Sequence, residues 1–521
     1  LPAYHLPPPS RGHGRQLVRA SQPVVDPGRP RRLQQQKPPH LNLQPAPLAS
    51  ILQLDAADHG APLPPHQQAP PHHYPKETST SSPKETIASM WRELHGAGDW
   101  AALLDPFHPW LRREVVKYGE FAQATYDAFD AEAASRYRGS CRFCRGRLFS
   151  QLGLLHSGYE VTGYLYAMSH VEMPRWLQRS LHAEAWSRDS NWMGYVAVSD
   201  DEETRRIGRR DIVVAWRGTV MPAEWFQDVQ QRLEPLHDGD GSGGEGHHHH
   251  QSDIAKVEHG FYSIYTSKAE STRYNKTSAS QQVMEEIRRL VETYGSQGEV
   301  VSLTVTGHSL GGALALLNAH EAAAAALPGL SHVSVVSFGA PRVGNAAFAR
   351  ELDGLNVKVL RVVNQQDPVP RLPGALFLNY EDLGGGHLIP AVEGMLQKWV
   401  YAHAGVQLVV DVRDSPHLKQ SAVDLPGFHG LETYLHLVDG MWRRAEGFRR
   451  GARRDVALVN KTCGLLREEL GIPERWCQAA NKGLVRNAYG RWVVPEREPE
   501  DVPSPPCVEA QQSAPGLSSS S

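Results

Sequence analysis

The residues that could do chemistry centre on a serine held between glycines. Residues 307–311 read Gly307-His308-Ser309-Leu310-Gly311, a G-x-S-x-G pattern that follows an apolar run and precedes small and apolar residues. That context predicts a strand, a sharp turn and a helix, and the glycines are needed because a β-carbon would collide with the neighbouring backbone. We expect a nucleophile elbow in which Ser309 attacks and the Leu310 N–H stabilises an oxyanion. The alternative is an ordinary serine in a glycine-rich turn.

A serine nucleophile requires a histidine base and a carboxylate that orients the base. In the α/β-hydrolase topology these follow the serine in the order Asp, His, on loops after later strands. Asp367 fits, because it comes a few residues after the β-branched run 357–363 in a loop stiffened by prolines. Asp353 and Asp382 compete with it, but neither directly follows a predicted buried strand. We therefore expect Asp367 to be the orienting acid, with a turn-forming role as the alternative.

Five histidines follow Asp367 and could serve as the base. His429 lies in a Pro-Gly-Phe-His-Gly loop before a predicted helix, which allows the mobility that proton transfer requires. His436 falls two turns into that helix, where we expect a core histidine, and position therefore favours His429. The full set of candidates is His387, His403, His417, His429 and His436.

A second oxyanion donor is expected from a loop after an early strand. Thr219 ends the stretch DIVVAWRGT (211–219) and can offer both its backbone N–H and its hydroxyl. Arg217 beside it is expected to anchor the loop by ion pairing and to take no part in the chemistry.

The elements around these residues predict an α/β fold. Short apolar runs at 192–199, 211–216, 301–305, 333–338 and 357–363 read as strands, and helical patterns lie between the later ones. Strands that alternate with helices indicate a mostly parallel sheet covered on both faces.

Composition narrows the possible partners. The formal net charge of −3 over 521 residues gives no electrostatic reason to expect nucleic-acid binding. The longest apolar stretch, 313–330, is interrupted by polar residues, so no transmembrane segment is expected. Five cysteines form a sparse, odd set, and Cys141 and Cys144 are interpreted as reduced structural thiols although their C-x-x-C spacing also suits half a zinc site or a redox pair.

The two ends of the chain differ in composition from its middle. Residues 1–85 are rich in Pro, Gln, His and Ser, and the first fifty are basic and poor in acids, which is typical of an organelle transit segment or a plain basic tail. We expect disorder at 1–85 and again in the Pro/Ser-rich 496–521, with one folded domain over 86–495. Inside that domain, the Gly/His-rich loop 238–252 could bind a metal adventitiously, but no functional metal site is expected.

Five motifs occur in order along the folded region: WRGT (216–219), HGF (259–261), GHSLGG (307–312), FGAPRVGN (338–345) and VVNQQDPVP (362–370). These motifs, in this order, resemble class 3 lipases. Further stretches such as NWMGYVAVSDDEE, SPHLK and HGLETYLHLVDG resemble the plant phospholipase A1 group, the acylhydrolases related to the "defective in anther dehiscence" protein. The resemblance covers about Met90 to Pro495.

The resemblance implies roles for particular residues. It assigns a triad of Ser309, Asp367 and His429, and an oxyanion hole formed by Thr219 and Leu310. It also places a lid after the oxyanion strand, with Trp225 and Phe226 able to meet lipid. No metal or cofactor is implied.

The same resemblance implies an α/β-hydrolase fold and sn-1 release of fatty acid from phosphatidylcholine. It also implies activity on galactolipids and triacylglycerol, and a role in supplying jasmonate precursors. The expected partners are therefore membrane glycerolipids met by peripheral contact. The long amino-terminal extension resembles class I members, which implies the chloroplast, or alternatively the mitochondrion. A non-catalytic lipase-like scaffold and a small-molecule carboxylesterase remain as alternatives.

Overall fold

A seven-stranded sheet organises the part of the chain that the structure describes. The computed structural model describes residues 86–132, 135–168, 190–218, 233–236, 254–373, 401–420, 424–442, 448–449, 452–477, 485–493 and 496–503. The strands are β1 (Tyr159–Met168), β2 (Ser190–Ser199), β3 (Arg210–Trp216), β4 (Leu233–Pro235), β5 (Lys256–Glu258), β6 (Val301–His308), β7 (Leu330–Phe338), β8 (Gly344–Asn345), β9 (Lys358–Asn364), β10 (Tyr401–Ala402), β11 (Val406–Val410), β12 (Val485–Arg486) and β13 (Trp492–Val493).

Helices connect and cover these strands. Their starts follow capping rules: before the helix Ala279–Gly295, for example, Ser278 and Gln281 form a reciprocal capping box. The α-helices are α1 (Trp91–Leu94), α2 (Pro109–Asp127), α3 (Leu148–Gln151), α4 (Asp201–Ile207), α5 (His259–Thr266), α6 (Ala279–Gly295), α7 (Leu310–Ala324), α8 (Ala346–Gly354), α9 (Leu425–His429) and α10 (Leu431–Gly440). Short 3₁₀ turns occupy Arg145–Arg147, Leu155–Ser157, Val369–Arg371, Val412–Asp414, Val456–Lys461, Glu468–Leu470 and Pro499–Asp501.

The large sheet has the order β1-β2-β3-β6-β7-β9-β11. The pairs β1–β2 and β2–β3 are antiparallel, and every later pair is parallel. The predicted mostly parallel sheet is therefore confirmed. Because parallel strands end at the same edge, Trp216, Gly307 and Phe338 come to the carboxyl edge together, with Trp216 in register with Gly307.

Apolar side chains cover both faces of the sheet. Alternate residues of β3 point to opposite faces: Val214 belongs to the cluster packed by α5–α8, and Val213 to the cluster packed by α2 and α10. A sheet buried on both faces explains why its strands read as continuous apolar runs in the sequence. Among the described residues, no helix combines the length and the apolar character needed to cross a bilayer.

The structure also differs in places from the sequence-based prediction. The charged segment between β2 and β3, expected as a turn, contains α4, which Asp200 caps by accepting the Glu203 N–H. Strand β11 was not predicted, because Val406–Val410 is short and stands in a stretch that reads as loop. The sequence of the segment 455–481 reads as helical, but its described part, 455–477, consists of 3₁₀ turns and irregular chain.

The structure describes only part of the terminal segments and internal loops named in the sequence analysis. Residues 1–85 and the Gly/His-rich loop 238–252 lie outside the described residues. Residues 496–503, the start of the predicted tail, contact the body of the domain: Asp501 accepts the Cys144 N–H at 2.7 Å. Within the described part of the chain, Cys141 and Cys144 are free thiols.

Candidate active site

Ser309 stands at the junction of β6 and α7 in a strained backbone conformation. Its φ of 59° and ψ of −127° lie outside the regions that side-chain-bearing residues favour, as expected of a nucleophile on a sharp turn. The flanking glycines are required by close packing. A β-carbon on Gly307 would lie 2.3 Å from the Gly311 carbonyl group, and one on Gly311 would lie 2.2 Å from the Trp216 oxygen.

The oxyanion side of the elbow is described in part. Leu310 is the first residue of α7, so its N–H is one of the donors that a helix N-terminus leaves without an acceptor in the helix. Thr219 lies outside the described residues. The chain at Gly218 nevertheless passes directly beside the nucleophile, since a β-carbon there would lie 3.2 Å from the Ser309 β-carbon.

Arg217 anchors the strand that leads to this position. Its Nε donates to the Trp192 carbonyl oxygen at 3.0 Å, and its guanidinium lies 3.7 Å from the centre of the Phe129 ring. Burial lowers the pKa of Arg217 to about 10. The anchoring described here runs through a carbonyl oxygen and an aromatic ring, and the expected ion pair stays a prediction.

The predicted base and acid meet although 62 residues separate them. His429 Nδ1 lies 2.7 Å from Asp367 Oδ2, and both side chains are buried. Since an ionised carboxylate can only accept, the proton of this bond belongs to Nδ1, which leaves Nε2 as the acceptor that a general base requires. Among the described residues, Nε2 has no hydrogen-bond partner.

Asp367 is held by two further donors. The Tyr434 hydroxyl donates to Oδ2 at 2.6 Å, and the Val369 N–H donates to Oδ1 at 2.9 Å. Burial and the adjacent carboxylate raise the pKa of Tyr434 well above its usual range, so it remains a donor. Sequence reasoning missed Tyr434, although the stretch HGLETYLHLVDG contains it five positions after His429.

His308 connects the elbow to the backbone of the base. Its Nε2 lies 2.7 Å from the His429 carbonyl oxygen and its Nδ1 lies 2.7 Å from the Tyr126 hydroxyl. The carbonyl can only accept, so Nε2 carries the proton and Nδ1 accepts from Tyr126. Burial, with the neighbouring His429 imidazole, holds the pKa of His308 well below its usual range, so the ring is neutral. The sequence placed His308 in the elbow but did not indicate Tyr126.

The other candidate residues lie elsewhere in the fold. His436 Nε2 bonds the Ser415 hydroxyl at 2.8 Å in the core, and burial lowers its pKa to about 3, which agrees with the expected core role. His403 Nε2 donates to the Pro370 carbonyl oxygen, and Asp353 belongs to α8. Four of the named residues lie outside the described part of the chain: His387, Asp382, Trp225 and Phe226.

A serine elbow at the carboxyl edge of a mostly parallel sheet, backed by a histidine and an acid from later loops, is the arrangement of the α/β-hydrolase fold. Comparison with known proteins identifies the family within that fold. A model of the family "Lipase (class 3)" matches residues 213–377. Phospholipase A1-Igamma2, chloroplastic, from Arabidopsis thaliana is 46% identical over 418 residues, which cover 79% of this chain and 77% of that protein. The chain belongs to the class 3 lipase family.

Two further similarities come from other organisms. Phospholipase A1 EG1, chloroplastic/mitochondrial, from Oryza sativa subsp. indica is 42% identical over 361 residues, covering 68% of this chain and 76% of that protein. Among solved structures, the lipase from Rhizopus microsporus var. chinensis is 20% identical and covers 58% of this chain and 75% of that chain, with a TM-score of 0.33.

Proposed function

We propose that this chain is a serine acylhydrolase with phospholipase A1 activity, which releases the sn-1 fatty acid of glycerolipids. The observation that carries the proposal is the 2.7 Å contact of His429 with Asp367, at a site where His308 bonds the His429 backbone directly beside Ser309. Asp367 and His429, 62 positions apart, thus meet each other, and His308, 121 positions from His429, bonds the His429 backbone from within the elbow. A nucleophile, a base and an orienting acid in this order constitute the machinery of ester hydrolysis.

In the proposed mechanism, His429 Nε2 removes the proton from Ser309 as the hydroxyl attacks the ester carbonyl. The N–H groups of Leu310 and Thr219 stabilise the oxyanion, and Asp367 stabilises the imidazolium that forms. Collapse of the tetrahedral intermediate breaks the ester bond, and the leaving lyso-lipid alcohol takes the proton from His429. Water, activated by the same histidine, then releases the fatty acid and regenerates the serine. The five residues act without a metal or cofactor.

The substrate class follows from family membership and from the relatives' names. Both plant relatives are named phospholipase A1, so phosphatidylcholine is the first substrate proposed, with galactolipids and triacylglycerol as further ones. The protein meets these lipids at the membrane surface by peripheral contact, through the proposed lid residues Trp225 and Phe226. The released fatty acids supply lipid catabolism and jasmonate precursors.

The proposed location is the chloroplast. The Arabidopsis relative is named chloroplastic, and the rice relative chloroplastic/mitochondrial, which makes the mitochondrion the alternative. Import of the fluorescently tagged chain into isolated plastids and mitochondria, followed by protease protection, distinguishes the two compartments.

Incubation with mixed plastid lipids tests the activity. Wild type is compared with Ser309→Ala and with Ser331→Ala, a control serine at the start of β7, and the lyso-lipids are identified by mass spectrometry. We expect sn-1 release by wild type and the control, and loss of roughly 10³-fold or more in Ser309→Ala. Release by the alanine variant at the wild-type rate would remove Ser309 from the mechanism.

The same preparation separates the alternative functions. Inertness of wild type towards short p-nitrophenyl esters would favour the non-catalytic scaffold. Turnover of those esters without any rate increase when substrate passes from monomers to micelles would favour a small-molecule carboxylesterase.

A further inference from the structure

The short hairpin formed by β12 and β13 exposes aromatic and cationic side chains together. Val485 pairs with Val493 and Arg486 with Trp492 in antiparallel register. At the turn, 89% of the Tyr489 surface is exposed, and 53% of Trp492 is exposed beside it. The sequence of the hairpin, VRNAYGRWV, holds two arginines and no acid. Large aromatic side chains at such exposure are unusual on a plain solvent-facing surface.

The turn of this hairpin is built to hold a fixed shape. Asn487 Oδ1 accepts the N–H groups of both Tyr489 and Arg491 at 3.0 Å, and the Asn487 N–H donates to the Arg491 carbonyl oxygen. Gly490 supplies the positive φ of 75° that closes the turn. The backbone carrying the exposed tyrosine is thus ordered in advance, which lowers the entropy that binding costs.

The described segments before and after the hairpin both bond to residues at or just beyond the carboxyl end of α2, the end that carries Tyr126. Before the hairpin, the Cys477 N–H bonds the Lys461 carbonyl oxygen, and the Lys461 ammonium pairs with Asp127 at 2.6 Å. After it, Arg497 pairs with Asp130, also at 2.6 Å.

These anchors limit where the hairpin can lie. Asp127 is the last residue of α2 and is adjacent to Tyr126, which bonds His308 of the elbow. Val493 and Arg497 are four positions apart, which limits the distance between their α-carbons to roughly 14 Å. The last residue of the hairpin therefore lies within that distance of Arg497, which pairs with Asp130 three positions after the end of α2.

We propose that the hairpin Val485–Val493 is a membrane-docking element that binds the surface of a bilayer containing anionic glycerolipids. Tyr489 and Trp492 enter the headgroup region, where amphipathic rings are favoured, and Arg486 and Arg491 face lipid phosphates. Docking brings the carboxyl edge of the sheet to the lipid. The inference rests on the proposed function in so far as the substrate is a membrane glycerolipid.

Vesicle binding tests the docking element independently of catalysis. All binding is measured in the Ser309→Ala background, so that lipid is not consumed, by co-sedimentation with phosphatidylcholine vesicles with or without phosphatidylglycerol. Tyr489→Ser with Trp492→Ser is expected to weaken partitioning about tenfold or more on both vesicle types. Arg486→Gln with Arg491→Gln is expected to weaken it roughly 20-fold, on phosphatidylglycerol vesicles only.

Leu155→Ser is the matched control. Its side chain is 64% exposed, but it precedes β1 at the amino edge of the sheet, where the Tyr159 hydroxyl bonds Asp211 at the start of β3. This variant is expected to bind vesicles like the parent chain. If the hairpin variants also bind like the parent, or lose no more than Leu155→Ser, the docking element is refuted and the hairpin is left for a protein partner.

Activity measurements complete the test in chains that retain Ser309. The hairpin variants are expected to hydrolyse a soluble short-chain ester at the wild-type rate and to hydrolyse vesicle lipid more slowly, by the same factor as their loss of binding. An equal loss on the soluble ester would show a structural role and overturn the proposal. Failure of the proposed function would appear separately, as hydrolysis that persists in Ser309→Ala, and would leave the binding result intact.

Discussion

Removing the Tyr126 hydroxyl is expected to weaken the connection between the elbow and the base. In Tyr126→Phe the ring volume is kept, but the buried Nδ1 of His308 loses its 2.7 Å donor while Nε2 still has to donate to the His429 carbonyl oxygen. A buried acceptor left without a partner costs about 1–3 kcal/mol. The neutral ring cannot recover this by taking a second proton, because burial already holds its pKa well below the usual range.

The loss is expected to appear in both stability and turnover. Urea unfolding should show a fall of about 1–3 kcal/mol in the free energy of unfolding. If about 1.4 kcal/mol of that loss is added to the activation free energy of ester hydrolysis, kcat on a soluble ester falls about tenfold. KM on the same ester is expected to change less than kcat, because the Tyr126 hydroxyl bonds His308 of the elbow.

Tyr195→Phe is the control for this experiment. Tyr195 is fully buried, and its hydroxyl donates to the carbonyl oxygen of Phe121 on the same helix α2 at 2.9 Å; Tyr195 itself belongs to β2, two strands from β6 in the sheet. This variant should lose stability and keep its kcat. If the two variants lose stability and kcat alike, or if Tyr126→Phe has the wild-type kcat, then the bond to His308 does not position the base.

Two further changes probe buried charge. Burial raises the pKa of Glu258 from 4.5 to about 7, so the folded protein keeps a proton that the unfolded chain has lost, and the free energy of unfolding falls by about 3 kcal/mol as pH rises across that window. Glu258→Gln should flatten this fall in unfolding experiments at about pH 5 and about pH 8. An unchanged pH profile of stability would contradict the raised pKa. Arg454 bonds Glu120 and Glu432 at 2.7 Å each, so Arg454→Met should lower the free energy of unfolding by about 3–5 kcal/mol, because both carboxylates lose the guanidinium. Adding Glu120→Gln to Arg454→Met should recover part of that stability. Equal stability of the single and double variants would contradict this explanation.

The proposed nucleophile could be predicted from the sequence because the residues that shape its turn are its neighbours in the chain. The elbow occupies five consecutive residues whose glycines are demanded by contacts within the turn itself and with the neighbouring strand. The order of strands and helices likewise follows from apolar runs, since each strand is buried on both faces. Asp367 and His429 could be chosen because the topology fixes the order and the loops from which acid and base must come, and the family motifs mark the same positions.

Only the tertiary structure decided how these residues are held. Tyr126 meets His308 across 182 positions, Arg454 meets Glu120 across 334, and Tyr434 reaches Asp367 across 67. No periodicity or motif records such contacts, because they depend on how α2, α10 and the carboxy-terminal segment pack against one sheet. Sequence determined which residues could carry the proposed chemistry, since each type of reactive group belongs to particular side chains. Packing determined which hydrogen bonds hold those residues in place, since a hydrogen bond requires two atoms within about 3 Å and only the folded chain sets that distance.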